Sequence, residues 1–387
     1  MRAVDTRKRR WPRRLLITLL TLVVLLGGYV GYVAIRAAQP VTLPTPTGAF
    51  PVGRTVLDWT DTSRTDPLAP QPNQPRELSV WLWYPAVRTS APPAPYLPGA
   101  WSGLHMSGVA SIAETGVDDV HSHAVADAPF AAGRFPLAVL EPGLGFAAPQ
   151  YTAIAENLAS HGYLVAGVTP TYSANLTVLN GRPVDATPAG NPAAFDSPDL
   201  HAGPAQTAGD HLVAVWTADA RFTAAKTAKL EAEHLNTKTL YLGHSFGGAA
   251  ALEACHEDPR CVGAADLDGT QYGPVVHTGL DKPMLLIGSD NSCITGSCQP
   301  ASADDRSSLA TARALLRAST GPVDHFQITG SEHFNFSDYG AYYLAAPIRS
   351  QLALGDVDGT QALTIVNGYL TAFADQSACR FTYREMC

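Results

Sequence analysis

The chain has 387 residues, 46% hydrophobic and 16% charged, the composition of an ordinary globular protein with room for one large domain or two small ones. Seven of its first fourteen residues are Arg or Lys, whereas the residues after Arg36 carry 18 basic against 33 acidic groups, a net −15. A body that acidic repels phosphate backbones, and no basic, aromatic-interleaved patch offsets it, so no nucleic-acid partner is expected.

Residues 1–14 read as a basic segment that stays cytoplasmic and directs the rest of the chain outside. Leu15 to Ile35 follows, a run of 21 residues without a charge. As a helix this run rises about 31 Å, which matches a hydrocarbon core of ~30 Å. A cleaved signal peptide is the rival reading, with the mature protein secreted. Its apolar region is usually only ~7–15 residues and ends in small residues. Here the run is longer and Arg36 interrupts Ala34, Ala37 and Ala38, so residues 15–35 are expected to remain as a transmembrane signal anchor in the cell membrane. Residues 36–50, rich in Pro and Thr, read as an extended linker.

One pattern then runs from residue 51 to 387 and predicts a single domain. Thr55–Thr60 and the alternating Glu77–Tyr84 predict two leading strands, and residues 85–133 predict loop with short helical pieces. Strands follow at Pro136–Leu140, Tyr163–Val168, Thr239–Gly243, Val262–Leu267, Met284–Ile287 and His325–Ile328. Helices are predicted over Gln150–Ser160, Gly209–Ala225, Phe246–Cys255, Asp304–Ala318 and Gln361–Ala374. Short apolar strands alternating with helices indicate an α/β fold, a mostly parallel sheet covered on both faces, with the leading strands at its antiparallel edge. Eight strands are expected in all. Thr171–Pro204, full of Pro, Asn and Asp, reads as an insertion above the sheet. The six cysteines all follow the anchor, in close pairs: Cys255/Cys261, Cys293/Cys298 and Cys379/Cys387. That spacing predicts local disulfides formed in an oxidising compartment; none has the spacing of a zinc site.

The chemistry concentrates at Gly243-His244-Ser245-Phe246-Gly247, a G-x-S-x-G sequence between an apolar strand and a helix of small residues. This is the setting of a nucleophile elbow in an α/β-hydrolase fold, where a tight turn lifts the serine above the sheet. A serine hydroxyl needs a base, and this fold orders its triad Ser, acid, His. His333 is the last histidine that fits. His325 lies inside a strand, His121 and His123 precede the nucleophile, and His244 belongs to the elbow. For the acid, Asp268 and Asp290 each end a strand after the nucleophile helix and the pattern does not separate them. Asp266 lies inside the strand, two residues before Asp268, and is not expected to be the acid. The oxyanion donors are expected to be the amides of Phe246 and of Leu144, in Gly143-Leu144-Gly145 after the first parallel strand. No metal or organic cofactor is implied.

These residues resemble the platelet-activating-factor acetylhydrolase family of the plasma and type II intracellular kind, from about Gly48 to Asp338. Gly243 to Gly248 match its GHSFGG elbow, and His333, Asn335, Phe336 and Asp338 match its H-x-N-F-x-D stretch. Leu267-Asp268 matches the L-D pair that carries the family's acid, so the resemblance implies Asp268 and not Asp290. Gly143-Leu144-Gly145 matches the oxyanion loop, with Pro142 where the family has His. Cutinase-type polyester hydrolases are more distantly similar. The resemblance implies hydrolysis of short acyl esters, small-molecule or lipid, through an acyl-enzyme on Ser245. Transfer of the acyl group to another acceptor is one alternative and a non-catalytic binding protein on the same fold is another.

Overall fold

The computed structural model describes residues 10–104, 115–349 and 351–380. The long helix α1 (Arg10–Ala37) comes first. It is the one helix among the described residues long and apolar enough to cross a bilayer, with a mean hydropathy of 2.2. Its leucines and valines from Leu15 to Leu26 lie bare.

The strands follow in chain order: β1 (Val41–Thr42), β2 (Val52–Thr65), β3 (Pro75–Pro85), β4 (Val120–His121), β5 (Val125–Ala126), β6 (Phe135–Glu141) and β7 (Leu164–Thr169). β8 (Leu176–Leu179) and β9 (Arg182–Asp185) form a hairpin; β10 (Leu235–His244), β11 (Cys261–Leu267), β12 (Met284–Gly288) and β13 (Val323–Gln327) complete the set. Nine of them make one sheet in the order β13-β12-β11-β10-β6-β7-β3-β2-β5. From β13 to β7 all neighbours are parallel, and β3 runs antiparallel to both β7 and β2. Eight strands match the expected number. The ninth, β5, is a two-residue rung on the outer edge of β2.

Alternation along each strand feeds two apolar layers, as period-two geometry requires. Trp81, Trp83, Leu240 and Leu242 face the layer under α2 (Thr152–Ser160) and α8 (Gly359–Arg380). Val80, Leu82 and Tyr241 face the opposite layer, against α3 (Gly203–Leu230) and α4 (Phe246–Glu257). The short α5 (Val275–Thr278) packs on α6 (Ala303–Ala318), and α7 (Ala346–Arg349) lies near the C-terminal end. Helix α3 begins six residues earlier than the sequence pattern indicates, because Pro204 sits at its first turn, where a missing amide costs nothing.

Two features reach beyond the periodicity. Arg76 is fully buried, held by Asp219 at 2.6 Å, Asp66 at 3.0 Å and the Thr171 carbonyl at 2.7 Å. It therefore ties β3 and α3 to the first residue of the insertion. The segment expected as a linker is extended but not slack. Val41 and Thr42 pair with β4, Leu43 is buried, and Asn157 Oδ1 accepts from the Thr47 amide at 3.1 Å.

Candidate active site

β10 delivers the chain into a turn at Ser245, whose φ of 55° lies in the left-handed region unfavourable to a non-glycine residue. The flanking glycines make that turn possible. A Cβ on Gly243 would overlap the Gly247 carbonyl, and a Cβ on Gly247 would overlap the Pro142 carbonyl. The Ser245 amide donates to the Leu267 carbonyl at 2.8 Å, which ties the turn to the end of β11.

The structure brings Ser245, His333 and Asp268 together. His333 Nε2 lies 2.9 Å from Ser245 Oγ, and His333 Nδ1 lies 2.8 Å from Asp268 Oδ2. The other oxygen of Asp268 accepts from the Ser289 amide at 2.8 Å and the Ser289 hydroxyl at 3.1 Å. Burial pushes the Asp268 carboxyl up, but the hydrogen bond and charge of His333 and the Ser289 and Ser292 donors outweigh it and hold it at about 2. It is thus a carboxylate at neutral pH. Asp290 does something else: it accepts from the Gly330 amide at 2.9 Å, on the loop leading to His333. Asp266 points away from the imidazole and accepts from Gly269 and Gln271. His325 lies exposed on β13, and His123 contacts the Leu43 carbonyl.

His244, one residue before the serine, is fully buried and bridges two loops. The Gly143 amide donates to the Tyr151 hydroxyl at 2.8 Å, and that hydroxyl lies 2.8 Å from His244 Nδ1. His244 Nε2 lies 2.9 Å from the His333 carbonyl. Burial, and then the neighbouring His333, push the His244 imidazole down to about 3. A neutral ring fits only one proton arrangement: Tyr151 donates to Nδ1, and Nε2–H donates to His333. The oxyanion-loop candidate and the histidine loop are thereby joined through the elbow's own histidine. Tyr151 carried no signal, since it reads as an ordinary helix-entry aromatic.

The Leu144 amide has no acceptor among the described residues, and Phe246 opens α4, whose first amides have no partner within the helix. Gly145 is fastened to the insertion, bridging Ala174 and accepting from the Asn175 amide at 2.9 Å. Beside these amides lies an aromatic group. The Phe246 ring is 5.9 Å from Phe195, 5.0 Å from Trp216 and 5.5 Å from Tyr272, with Leu144 and Tyr172 packed on the same cluster. A separate cavity of about 730 Å³ lies beyond Tyr272, lined by His201, Asp210 and His277, and includes none of the three hydrogen-bonded side chains. Among the described residues no His, Cys, Asp or Glu cluster is arranged to hold a metal ion. Two disulfides are present, Cys255–Cys261 and Cys293–Cys298; the pairing expected for Cys379 and Cys387 lies outside the described residues.

The chain is similar to known esterases. The family model described as platelet-activating factor acetylhydrolase, isoform II, matches residues 35–186, which takes in the Leu144 loop and stops short of Ser245. A probable 1-alkyl-2-acetylglycerophosphocholine esterase of Arthroderma benhamiae is 24% identical, covering 86% of this chain and 87% of that one. The platelet-activating factor acetylhydrolase of Canis lupus familiaris is also 24% identical, covering 86% and 76%. Among solved structures, a ferulic acid esterase from Streptomyces cinnamoneus superposes with a TM-score of 0.71 at 28% identity, over 87% of this chain and 93% of that one.

Proposed function

We propose that this chain, a serine ester hydrolase of the α/β-hydrolase fold similar to the platelet-activating factor acetylhydrolases, releases short acyl groups from lipid or small-molecule esters through Ser245. The observation that carries the reading is the unbroken line from Ser245 Oγ through His333 to Asp268, with contacts of 2.9 and 2.8 Å. Ser245 attacks the ester carbonyl while His333 Nε2 takes its proton. Asp268, a carboxylate, fixes the imidazole tautomer and stabilises the imidazolium. The amides of Leu144 and Phe246 receive the charge that develops on the carbonyl oxygen. His333 then protonates the leaving alcohol, and a water activated by the same imidazole hydrolyses the acyl-enzyme. Residues 51–387 act as one catalytic domain. Helix α1 is an uncleaved anchor that holds this domain at the outer face of the cell membrane.

A second reading concerns the acyl group alone. The rings of Phe195, Phe246, Trp216 and Tyr272 beside the Leu144 amide favour a flat aromatic acid, the substrate type named for the Streptomyces esterase. The test is a panel of p-nitrophenyl esters from two to sixteen carbons plus methyl ferulate, hydrolysed by the detergent-solubilised chain beside Ser245→Ala. An optimum at two to four carbons, lost in the variant, supports the acetyl reading, and preference for the ferulate supports the aromatic one. Turnover that persists in Ser245→Ala removes the serine mechanism.

A further inference from the structure

The outer end of α1 does not project freely from the domain. Val33 is buried in an apolar cluster with Tyr343 and Ala345, and the Arg36 guanidinium lies over the Tyr343 ring, 5.2 Å from its centre. Only three residues separate the end of α1 at Ala37 from the pairing of Val41 with β4. The Tyr343 amide and carbonyl are in turn tied to Thr115, at 3.1 and 3.0 Å. Anchor and domain therefore hold one orientation.

That orientation sets a depth. Arg14 and Arg36 bracket the uncharged run, and its rise of about 31 Å puts one at each face of the hydrocarbon. Val33 lies three residues and Tyr32 four residues inside Arg36, that is about 5 and 6 Å deeper. The side chains that touch Val33 are carried to the same level. From this we propose that the segment Ala341–Ala345 sits in the outer interfacial layer of the bilayer and turns the mouth of the active site toward the lipid. This rests on reading α1 as an uncleaved anchor.

The chemistry of the segment suits that layer. Tyr32, exposed, and Tyr343, only partly buried, supply amphipathic rings near that level, where tyrosine concentrates in membrane proteins. A cleft of about 480 Å³ opens beside them, lined among others by Arg36, Tyr343, Arg349, Asp356 and Asp358. Its charges of both signs suit zwitterionic headgroups. The segment is also continuous with the site. Tyr342 packs on Tyr339 at 5.2 Å, Tyr339 on Phe146 at 5.3 Å, Phe146 on Phe334 at 5.2 Å, and Phe334 on His333 at 5.4 Å. Phe334 and Tyr339 are only partly buried. Between the segment and the imidazole, an ester leaving the outer leaflet thus meets the partly exposed rings of Tyr339 and Phe334, backed by the buried Tyr342 and Phe146.

The test uses the full chain in phosphatidylcholine vesicles, with lipids brominated near the top of the acyl chain as quenchers. Tyr343→Trp is compared with Leu230→Trp, a reporter at the far end of α3, after subtracting the parent's own tryptophans. The proposal expects the added fluorescence of Tyr343→Trp to fall at least twofold and that of Leu230→Trp to stay unchanged. Ala346→Trp, on an exposed side chain one residue beyond the segment, gives the same readout should Tyr343→Trp fold poorly. An unquenched reporter on a chain that resists alkaline washing overturns this proposal and leaves the anchor standing. A chain that washes off the vesicles overturns both.

Discussion

The turn that carries Ser245 and the loop that carries His333 meet at a 2.9 Å contact, yet they are held by different means. Ser245 is fixed locally. A strand, two glycines and a helix force its φ of 55°, and the neighbouring backbone leaves no room for another path. His333 is fixed at long range. Asn335 Oδ1 accepts from the Glu332 and Gly355 amides at 2.8 and 2.9 Å, and the Phe334 amide reaches the Ala353 carbonyl at 2.9 Å. Asp338 accepts from the first amides of α2, Thr152 at 2.9 Å and Ala153 at 3.1 Å, and from the Tyr96 hydroxyl at 2.8 Å. The nucleophile depends on sterics within a few residues, whereas the base depends on polar ties to distant segments. Damage to the first should abolish chemistry, while damage to the second should loosen it.

The largest effects belong to the serine side. Ser245→Ala should lower kcat by on the order of 10⁶, measured as steady-state ester hydrolysis with no change in circular dichroism. Asp268→Asn should cost about 10⁴, since it leaves the imidazole in the wrong tautomer. Asp290→Asn should cost no more than about threefold, because an amide oxygen can still accept from Gly330. Comparable losses in the two aspartate variants would mean that the acid is shared and the assignment to Asp268 is mistaken. Gly247→Ala should fall between, at about 10²–10³, by displacing the Phe246 amide from the oxyanion position.

The histidine side should respond more weakly and should show in stability as well. Burial, against three donors that pull the other way, pushes the Asp338 carboxyl up to about 7. Glu156, buried where it accepts from the His123 and Ala124 amides, is likewise pushed up to about 7. Both folded-state values exceed their unfolded ones. The folded protein therefore keeps protons that the unfolded chain has lost from about pH 4 upward. Stability should fall as pH rises from about 4 through 7 and level off above. Asp268 acts with the opposite sign, but its contribution is lost only as pH falls below 4 toward 2. Asp338→Asn should flatten the slope of Tm between pH 4 and 7 and lower kcat by about tenfold through a looser histidine loop. An unchanged slope would show that Asp338 is ionised in the fold throughout that range.

The same contrast explains what could be read from the residues alone. The strand–turn–helix around Ser245 is a local pattern, so its period, glycines and small residues announced it. The two aspartates could not be told apart by pattern, because each ends a strand; the resemblance favoured Asp268. Register accounts for the difference in their surroundings. Leu267 is level with Ile287, so Asp268 emerges under the Ser289 amide, while Asp290 travels two residues further and meets Gly330. In the H-x-N-F-x-D stretch, Phe336 lies stacked on His244 while Asn335 and Asp338 make the distant ties. Those partners are far away in sequence, so no local pattern could name them. Tyr151, Arg76 and the packed course of residues 41–50 were illegible for the same reason.

The smallest effects should come from the disulfides, and they separate the two ends of the sheet. Cys255–Cys261 joins the last turn of α4 to the first residue of β11. Ser245 precedes the opposite end of α4, about 15 Å away along the helix axis, and Asp268 follows the far end of β11, about 23 Å along the strand. Opening so short a loop should cost about 2 kcal/mol, or on the order of 5 °C in Tm. Paired alanines at 255 and 261 should therefore lower Tm and leave kcat within twofold. Cys293–Cys298 closes the turn after β12, beside Ser289 and Ser292, which donate to Asp268. Alanines at 293 and 298 should cost similar stability but lower kcat by about threefold, because the acid loses part of its support. Equal effects on kcat from both pairs would show that rigidity at the base of the sheet reaches the site, and that the serine turn is less self-contained than its geometry implies.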